Sequence, residues 1–164
     1  MNADDLRKLQ SPLKEKYKQD SSSARLTLKA SGKIGEGLTC SVETGRALAV
    51  AGLHPKTGGD GMSLCSGDML LQALVACAGV TLNAVSTALG INVREGVVSA
   101  EGDLDFRGTL GVDKEAPVGF TEIRLKFDIS SDATAEQKAT LIKLTERYCV
   151  VLQTLKKTPS IKVV

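Results

Sequence analysis

The chain has 164 residues, 42% apolar and 24% charged, with 21 Lys and Arg against 19 Asp and Glu. That length suits one domain that buries most of its apolar surface. A net charge near +2, 3% aromatics and no Trp argue against nucleic acid, which calls for a clustered basic face or stacking platforms. The opening Met1-Asn2-Ala3-Asp4-Asp5-Leu6-Arg7-Lys8 has no apolar h-region, which predicts no secretory signal and a soluble, cytoplasmic protein. In that setting Cys40, Cys65, Cys77 and Cys149 read as free thiols. With one histidine, His54, and no C-x-x-C spacing, neither a metal nor a cofactor is expected.

In chain order, residues 1–20 are charged and broken by Pro12, with Leu6, Leu9 and Leu13 at helical spacing. They read as an N-terminal helical extension, lying on the surface or on a partner subunit, before a domain at 21–164. Three short antiparallel strands are predicted next, at Ala24–Ala30, Leu38–Val42 and Ala47–Ala51. A glycine-rich turn, Ser31–Gly37, joins the first two. Residues 52–67 form a loop of a length that is often functional.

Ser66 to Gly90 is the most informative stretch. Ser66 suits an N-cap, Asp68 suits the positive end of the helix dipole, and Gly90 suits the residue after the helix. Between them the sequence is apolar nearly all round for three turns, which marks a helix buried in protein or crossing a membrane. Gln72, Thr81, Asn83, Ser86 and Thr87 interrupt it, and no aromatic belt flanks it, so burial in protein is expected.

Two further strands are predicted at Val97–Phe106 and Phe120–Ile129. In the second, Thr121, Ile123, Leu125 and Phe127 alternate with charged residues. Thr134 and Gln137 form a capping box that opens a helix. A second helical segment spans Cys149–Leu155, Pro159 ends it, and Ser160–Val164 reads as a terminal strand.

A thiol reacts as its thiolate, so a reactive cysteine needs a neighbour that favours negative charge. Cys149 lies at the start of a helical segment just after Arg147, a context expected to lower its pKa. Cys77 lies about three turns into its helix, with Ala73, Leu74, Val80 and Thr81 one turn away, so its activating group must come from elsewhere in the fold. Cys40 and Cys65 read as small hydrophobes. Periodicity alone pairs none of these.

The segment Ser66-Gly67-Asp68-Met69-Leu70-Leu71-Gln72-Ala73-Leu74-Val75-Ala76-Cys77 resembles the OsmC/Ohr family's entry into its central helix. Cys149-Val150-Val151-Leu152-Gln153-Thr154-Leu155 is similar to that family's second cysteine motif, and His54-Pro55-Lys56-Thr57-Gly58-Gly59 to its glycine-rich loop. The resemblance covers roughly residues 24–164. It implies an α+β fold with two antiparallel β blocks around a long buried central helix, swapped into an intertwined homodimer. It also implies a two-cysteine thiol peroxidase for organic hydroperoxides. Cys77 would be the peroxidatic residue and Cys149 the resolving one, with an external dithiol as reductant and a role in oxidative stress defence. Alternatives of the same fold are a non-enzymatic module for a small apolar ligand and a thiol redox sensor.

Two departures stand out. Val150 replaces the family's proline after the second cysteine, and its activating arginine has no counterpart in register: Lys33 and Lys56 occupy those places, with Arg46 the nearest arginine. The matching carboxylate is Asp68. It precedes Cys77 by nine residues, about 13 Å along a helix, so it could serve only a cysteine of a partner subunit.

Overall fold

The computed structural model describes residues 3–34, 40–42, 51–62 and 64–163. The predicted strand at Ala47–Ala51 and Arg46 therefore lie outside the described residues, apart from Ala51 itself, which makes an isolated bridge with Leu64. The chain divides into two compact units, Met1–Lys29 with Thr44–Leu71 and Glu101–Arg124, and Ala30–Glu43 with Gln72–Ala100 and Leu125–Val164.

Strands β1 (Arg25–Ile34), β2 (Cys40–Val42), β3 (Val93–Asp105) and β4 (Phe120–Ser131) form one sheet in the order β2-β1-β3-β4. The two expected antiparallel β blocks are both present, the first as β1 and β2 and the second as β3 and β4, and β1 hydrogen-bonds β3 so that they share one sheet. The first hairpin is antiparallel, pairing Gly32 with Val42, Lys33 with Ser41 and Ile34 with Cys40. Residues 31–34, expected in the turn, thus continue the strand, because a glycine in a strand can still use its backbone donors and acceptors.

In the first unit, α1 (Ala3–Gln19) runs unbroken through Pro12. Proline removes one helical hydrogen bond there, and tertiary packing holds the last turns: Tyr17 is buried with Ala24, Phe106 and Leu110, and Leu13 packs against them. The helix therefore packs on its own chain. The helix also clamps the long loop. Tyr17 Oη donates to the Lys56 carbonyl at 2.6 Å, and Gln10 Nε2 to the Thr57 carbonyl at 3.3 Å. Gly59 is required in that loop, since a Cβ there would lie 1.7 Å from the Leu53 carbonyl oxygen.

Helix α2 (Ser66–Leu89) matches the predicted span, one residue earlier at its start. The Met69 N–H donates to the Cys65 carbonyl at 3.0 Å, so Cys65 rather than Ser66 is the residue before the first turn. Gly90, at φ 67°, takes the left-handed conformation that ends it. Among the described residues α2 is the one helix long and apolar enough to cross a bilayer, and half of that stretch is buried inside the protein. Its polar interruptions are satisfied locally: the Ser86 and Thr87 hydroxyls donate to the Asn83 carbonyl at 3.0 and 2.8 Å.

In the second unit Leu82, Val85, Ile91 and Leu141 form a buried cluster, joined by Phe127, Ile129 and Leu144. Each fully buried Leu contributes roughly 1.5–3 kcal/mol relative to exposure. The expected loop between β3 and β4 holds one short helix, α3 (Phe106–Thr109). The Thr134–Gln137 capping box is present and opens α4 (Ala135–Tyr148), followed by α5 (Val150–Lys156). Residues 157–163 form no strand, contrary to expectation: Ile161 and Val163 are exposed rather than buried against a sheet.

Candidate functional site

The second unit brings Cys77 and Cys149 together. Cys149 is the single non-helical residue (φ −69°, ψ 107°) between α4 and α5. Its N–H donates to the Thr145 carbonyl at 2.9 Å, and its carbonyl accepts from the Gln153 N–H at 2.9 Å. Both helices thus fix its backbone. Its side chain makes no cap, so the first amides of α5 have no partner within that helix.

Those amides lie near enough to the two sulfurs to act on their acidity. Burial by itself pushes the Cys77 thiol up, but the Val151 N–H, the Cys149 thiol, the Val150 N–H and the Thr81 hydroxyl more than offset it. Cys77 therefore titrates below an ordinary thiol. Cys149 behaves in the opposite way. Its side chain is fully buried, and burial with the adjoining Cys77 sulfur pushes its pKa up to about 11, against smaller opposing help from the Leu152 and Val151 amides. At neutral pH Cys149 is the thiol that donates and Cys77 the sulfur that accepts.

This corrects the expectation of a lowered Cys149. A helix start does favour a thiolate, but the buried side chain loses more to desolvation than it gains. Arg147 gives no help there, since its guanidinium lies over the Tyr148 ring at 5.5 Å.

The remaining candidates are placed differently. Asp68 is partly buried in the first turn of α2, and burial raises its carboxyl despite an opposing pull from His54. His54 is lowered by burial, against an opposing pull from Asp68 and with smaller help from Lys56. Its ring stacks on Phe106 at 5.2 Å, and its Nδ1 accepts from the Lys56 N–H at 3.0 Å. Lys56 Nζ donates to the Ser23 carbonyl at 2.9 Å, so its ammonium is committed to backbone. Lys33 is exposed on β1. Among the described residues no three His, Cys, Asp or Glu side chains converge as a metal ion requires.

Thr81 also lines an apolar groove of about 450 Å³ on the second unit, with Val85, Ala88, Leu89, Leu144 and Tyr148. Thr81 and Val150 are both noted in the sequence, the one as a neighbour of Cys77 and the other as a departure from the family's motif, with no role in activation given to either. Thr81 stands four residues after Cys77, on the same helix face, and Val150 keeps an N–H that proline would lack.

The comparisons with known proteins agree with this fold. An OsmC-like hydroperoxide resistance protein from Jannaschia sp. CCS1 superposes with a TM-score of 0.61 at 16% identity, covering 84% of this chain and 91% of that one. An OsmC-like protein from Mycoplasma pneumoniae gives 0.57 at 17% identity, covering 82% and 86%. No curated relative matches the sequence. The sequence pattern of OsmC-like proteins matches residues 58–164, which hold α2, both cysteines and the helices that join at Cys149. The chain belongs to the OsmC-like protein family.

Proposed function

We propose that this protein is a two-cysteine thiol peroxidase acting on organic hydroperoxides, as a homodimer in the cytoplasm, with a role in oxidative stress defence. The observation that carries the reading is the opposite displacement of two adjoining thiols, Cys77 down and Cys149 up. One is ready as a nucleophile and the other keeps its proton. The hydroperoxide resistance named for the Jannaschia protein supports the same chemistry.

In this mechanism the Cys77 thiolate attacks the terminal oxygen of the hydroperoxide. An S–O bond forms, the O–O bond breaks, and the alkoxide leaves and takes a proton to become the alcohol. Cys77 is now a sulfenic acid. Its negative charge is gone, which removes part of what held the Cys149 proton. Cys149 then loses that proton and attacks the sulfenic sulfur. A disulfide forms and the hydroxyl leaves as water. An external dithiol returns both cysteines to thiols, supplying two electrons and two protons. The groove shared by Thr81 suits the apolar part of an organic peroxide, and Asp68 would act on the cysteine of a partner subunit.

The test is to mix the reduced protein with cumene hydroperoxide, and separately with hydrogen peroxide, and to follow thiol loss and dithiol-dependent turnover. Rapid loss of two thiols is expected, abolished in Cys77→Ser and halted at a sulfenic acid in Cys149→Ser. Oxidation of Cys77 no faster than that of a free thiol would sink the assignment. The groove favours a second reading, a non-enzymatic module for a small apolar ligand, in which Cys77→Ala leaves ligand binding unchanged and peroxide is not consumed.

A further inference from the structure

We propose that a cavity on the first unit, which holds neither Cys77 nor Cys149, binds a small zwitterion of the α-amino-acid type. Arg25 takes its carboxylate, Glu115 its ammonium group, and an apolar wall its side chain. The inference goes beyond the peroxidase reading and does not depend on it.

The cavity encloses about 750 Å³, within the range of small-molecule sites. Its walls come from the start of β1, the end of β3, α3, the loop 110–119 and the start of β4, all within the first unit. Leu26 and Leu104 supply an apolar wall, packed against the buried cluster of Tyr17 and Phe106, and Ala116 and Pro117 add to it from the loop. The charged groups are unequally engaged. Arg107 is committed within the wall: Nε lies 3.1 Å from both Asp105 oxygens, Nη2 lies 2.6 Å from Oδ2, and Nη1 donates to Asp113 at 3.1 Å. Asp103 is matched by Arg124 at 2.6 and 3.0 Å. Arg25 and Glu115 remain. Both are exposed, and among the described residues neither side chain makes a hydrogen bond or an ion pair. Arg25 also acts on Asp105 through space, but Arg107 already takes both oxygens of that carboxylate. One cation and one anion therefore line the same cavity uncommitted. A zwitterion satisfies both, whereas a simple anion or cation satisfies one.

Both residues are held through their backbones. The Arg25 N–H donates to the Ser22 carbonyl where β1 begins. The Glu115 N–H donates to Asp113 Oδ1 at 3.0 Å, and Asp113 is tied in turn to Arg107. Arg107 is anchored by the buried Asp105, whose Oδ1 also accepts the Arg107 N–H at 3.1 Å and so caps α3. The chain Asp105–Arg107–Asp113 thus fixes the loop that carries Glu115. A ligand meets a wall already ordered, which spares it part of the entropic cost of binding. Arg25 and Glu115 keep their side chains exposed, so substituting either leaves the core intact.

The experiment is isothermal titration calorimetry of the full-length reduced protein at neutral pH, with probes that share one apolar side chain. They are L-leucine, leucinamide, which lacks the carboxylate, and N-acetyl-leucine, which lacks the ammonium group. L-leucine should bind about tenfold more tightly than either derivative, the size of one hydrogen bond to a charged group. Arg25→Gln should weaken leucine to the level of leucinamide, and Glu115→Gln to the level of N-acetyl-leucine. Cys77→Ser should bind leucine like the parent. The proposal is overturned if leucine gives no binding up to about 10 mM, or if Arg25→Gln and Glu115→Gln both bind it like the parent. A derivative that binds as well as leucine also overturns it, because the cavity would then read one charge or none. So does loss of binding in Cys77→Ser, which would move the ligand to the thiols. A protein that binds leucine in this pattern but consumes no peroxide would end the peroxidase reading and leave this inference standing.

Discussion

Asp103 and Cys77 are both driven below their ordinary pKa, by different physics. On the first unit, Asp103 is drawn down to about 2, chiefly by Arg124 and then by the Thr27 hydroxyl. The Arg124 guanidinium reaches both Asp103 oxygens, at 2.6 and 3.0 Å, with Glu101 and Glu122 at 3.5 and 3.3 Å. On the second unit, Cys77 is drawn down by amides, a hydroxyl and a thiol, against its own burial. The ion cluster stands at the surface, where full charges are available and solvent dilutes their effect. The thiol lies where an uncompensated charge is expensive and aligned dipoles act at short range. A surface cluster survives small displacements. The thiol site depends on the packing that aims its donors.

The largest effect should come from disturbing that packing. Leu82 is fully buried in the cluster with Leu141, one turn beyond Ala78 on the helix that carries Cys77. Leu82→Ala should cost about 2–5 kcal/mol in urea unfolding. It should also broaden the Cys77 titration while leaving Asp103 unmoved. Equal disturbance of both acids would break the comparison.

Next in size is the alkaline limb of stability. Cys149 keeps its proton up to about 11 in the folded state, against 9.0 for an ordinary thiol. Below about 9 both states hold the proton and stability is unaffected. Between 9 and 11 the unfolded chain releases it first, so stability falls as pH rises, by on the order of 2 kcal/mol. Cys149→Ser should flatten that limb in denaturant titrations, and an unchanged slope would show that Cys149 is not the group responsible.

The smallest effect belongs to the ion cluster. Asp103 stabilises the folded state above its ordinary 3.8, and that contribution disappears as pH falls toward about 2. Arg124→Gln should return the Asp103 titration, followed by carboxyl NMR, most of the way to 3.8 with little change in overall stability. High salt should do part of the same. Salt that moved Cys77 and spared Asp103 would invert the comparison.

These two sites were unequally legible in the sequence. The central helix, its closing glycine and the Thr134–Gln137 box could be read because each is a local signal, written within four or five residues. The joining of β1 to β3 could not be read, because strand neighbours far apart in sequence leave no local mark. The terminal strand failed for the opposite reason: Ile161, Val163 and their neighbours have strand-like composition but no packed face to use it on. At the site, both cysteines were identified by resemblance, yet the acidity of Cys149 was read with the wrong sign. Helix position is visible in sequence, whereas complete burial is a property of the folded chain. The amides that act on Cys77 could not be read because they are backbone, which no side-chain pattern spells out.

The one-residue corner at Cys149 has a consequence for how such a chain can vary. Its sulfur is located by counting: one helix ends and the next begins on the same residue, with no slack between them. Substitutions along α4 and α5 change what surrounds the corner. An inserted or deleted residue changes its phase, turning everything beyond it by about 100° around the helix axis. Sequence drift should therefore be tolerated here far more readily than a change in length, and the spacing from Leu141 to Gln153 is the quantity this part of the chain must preserve.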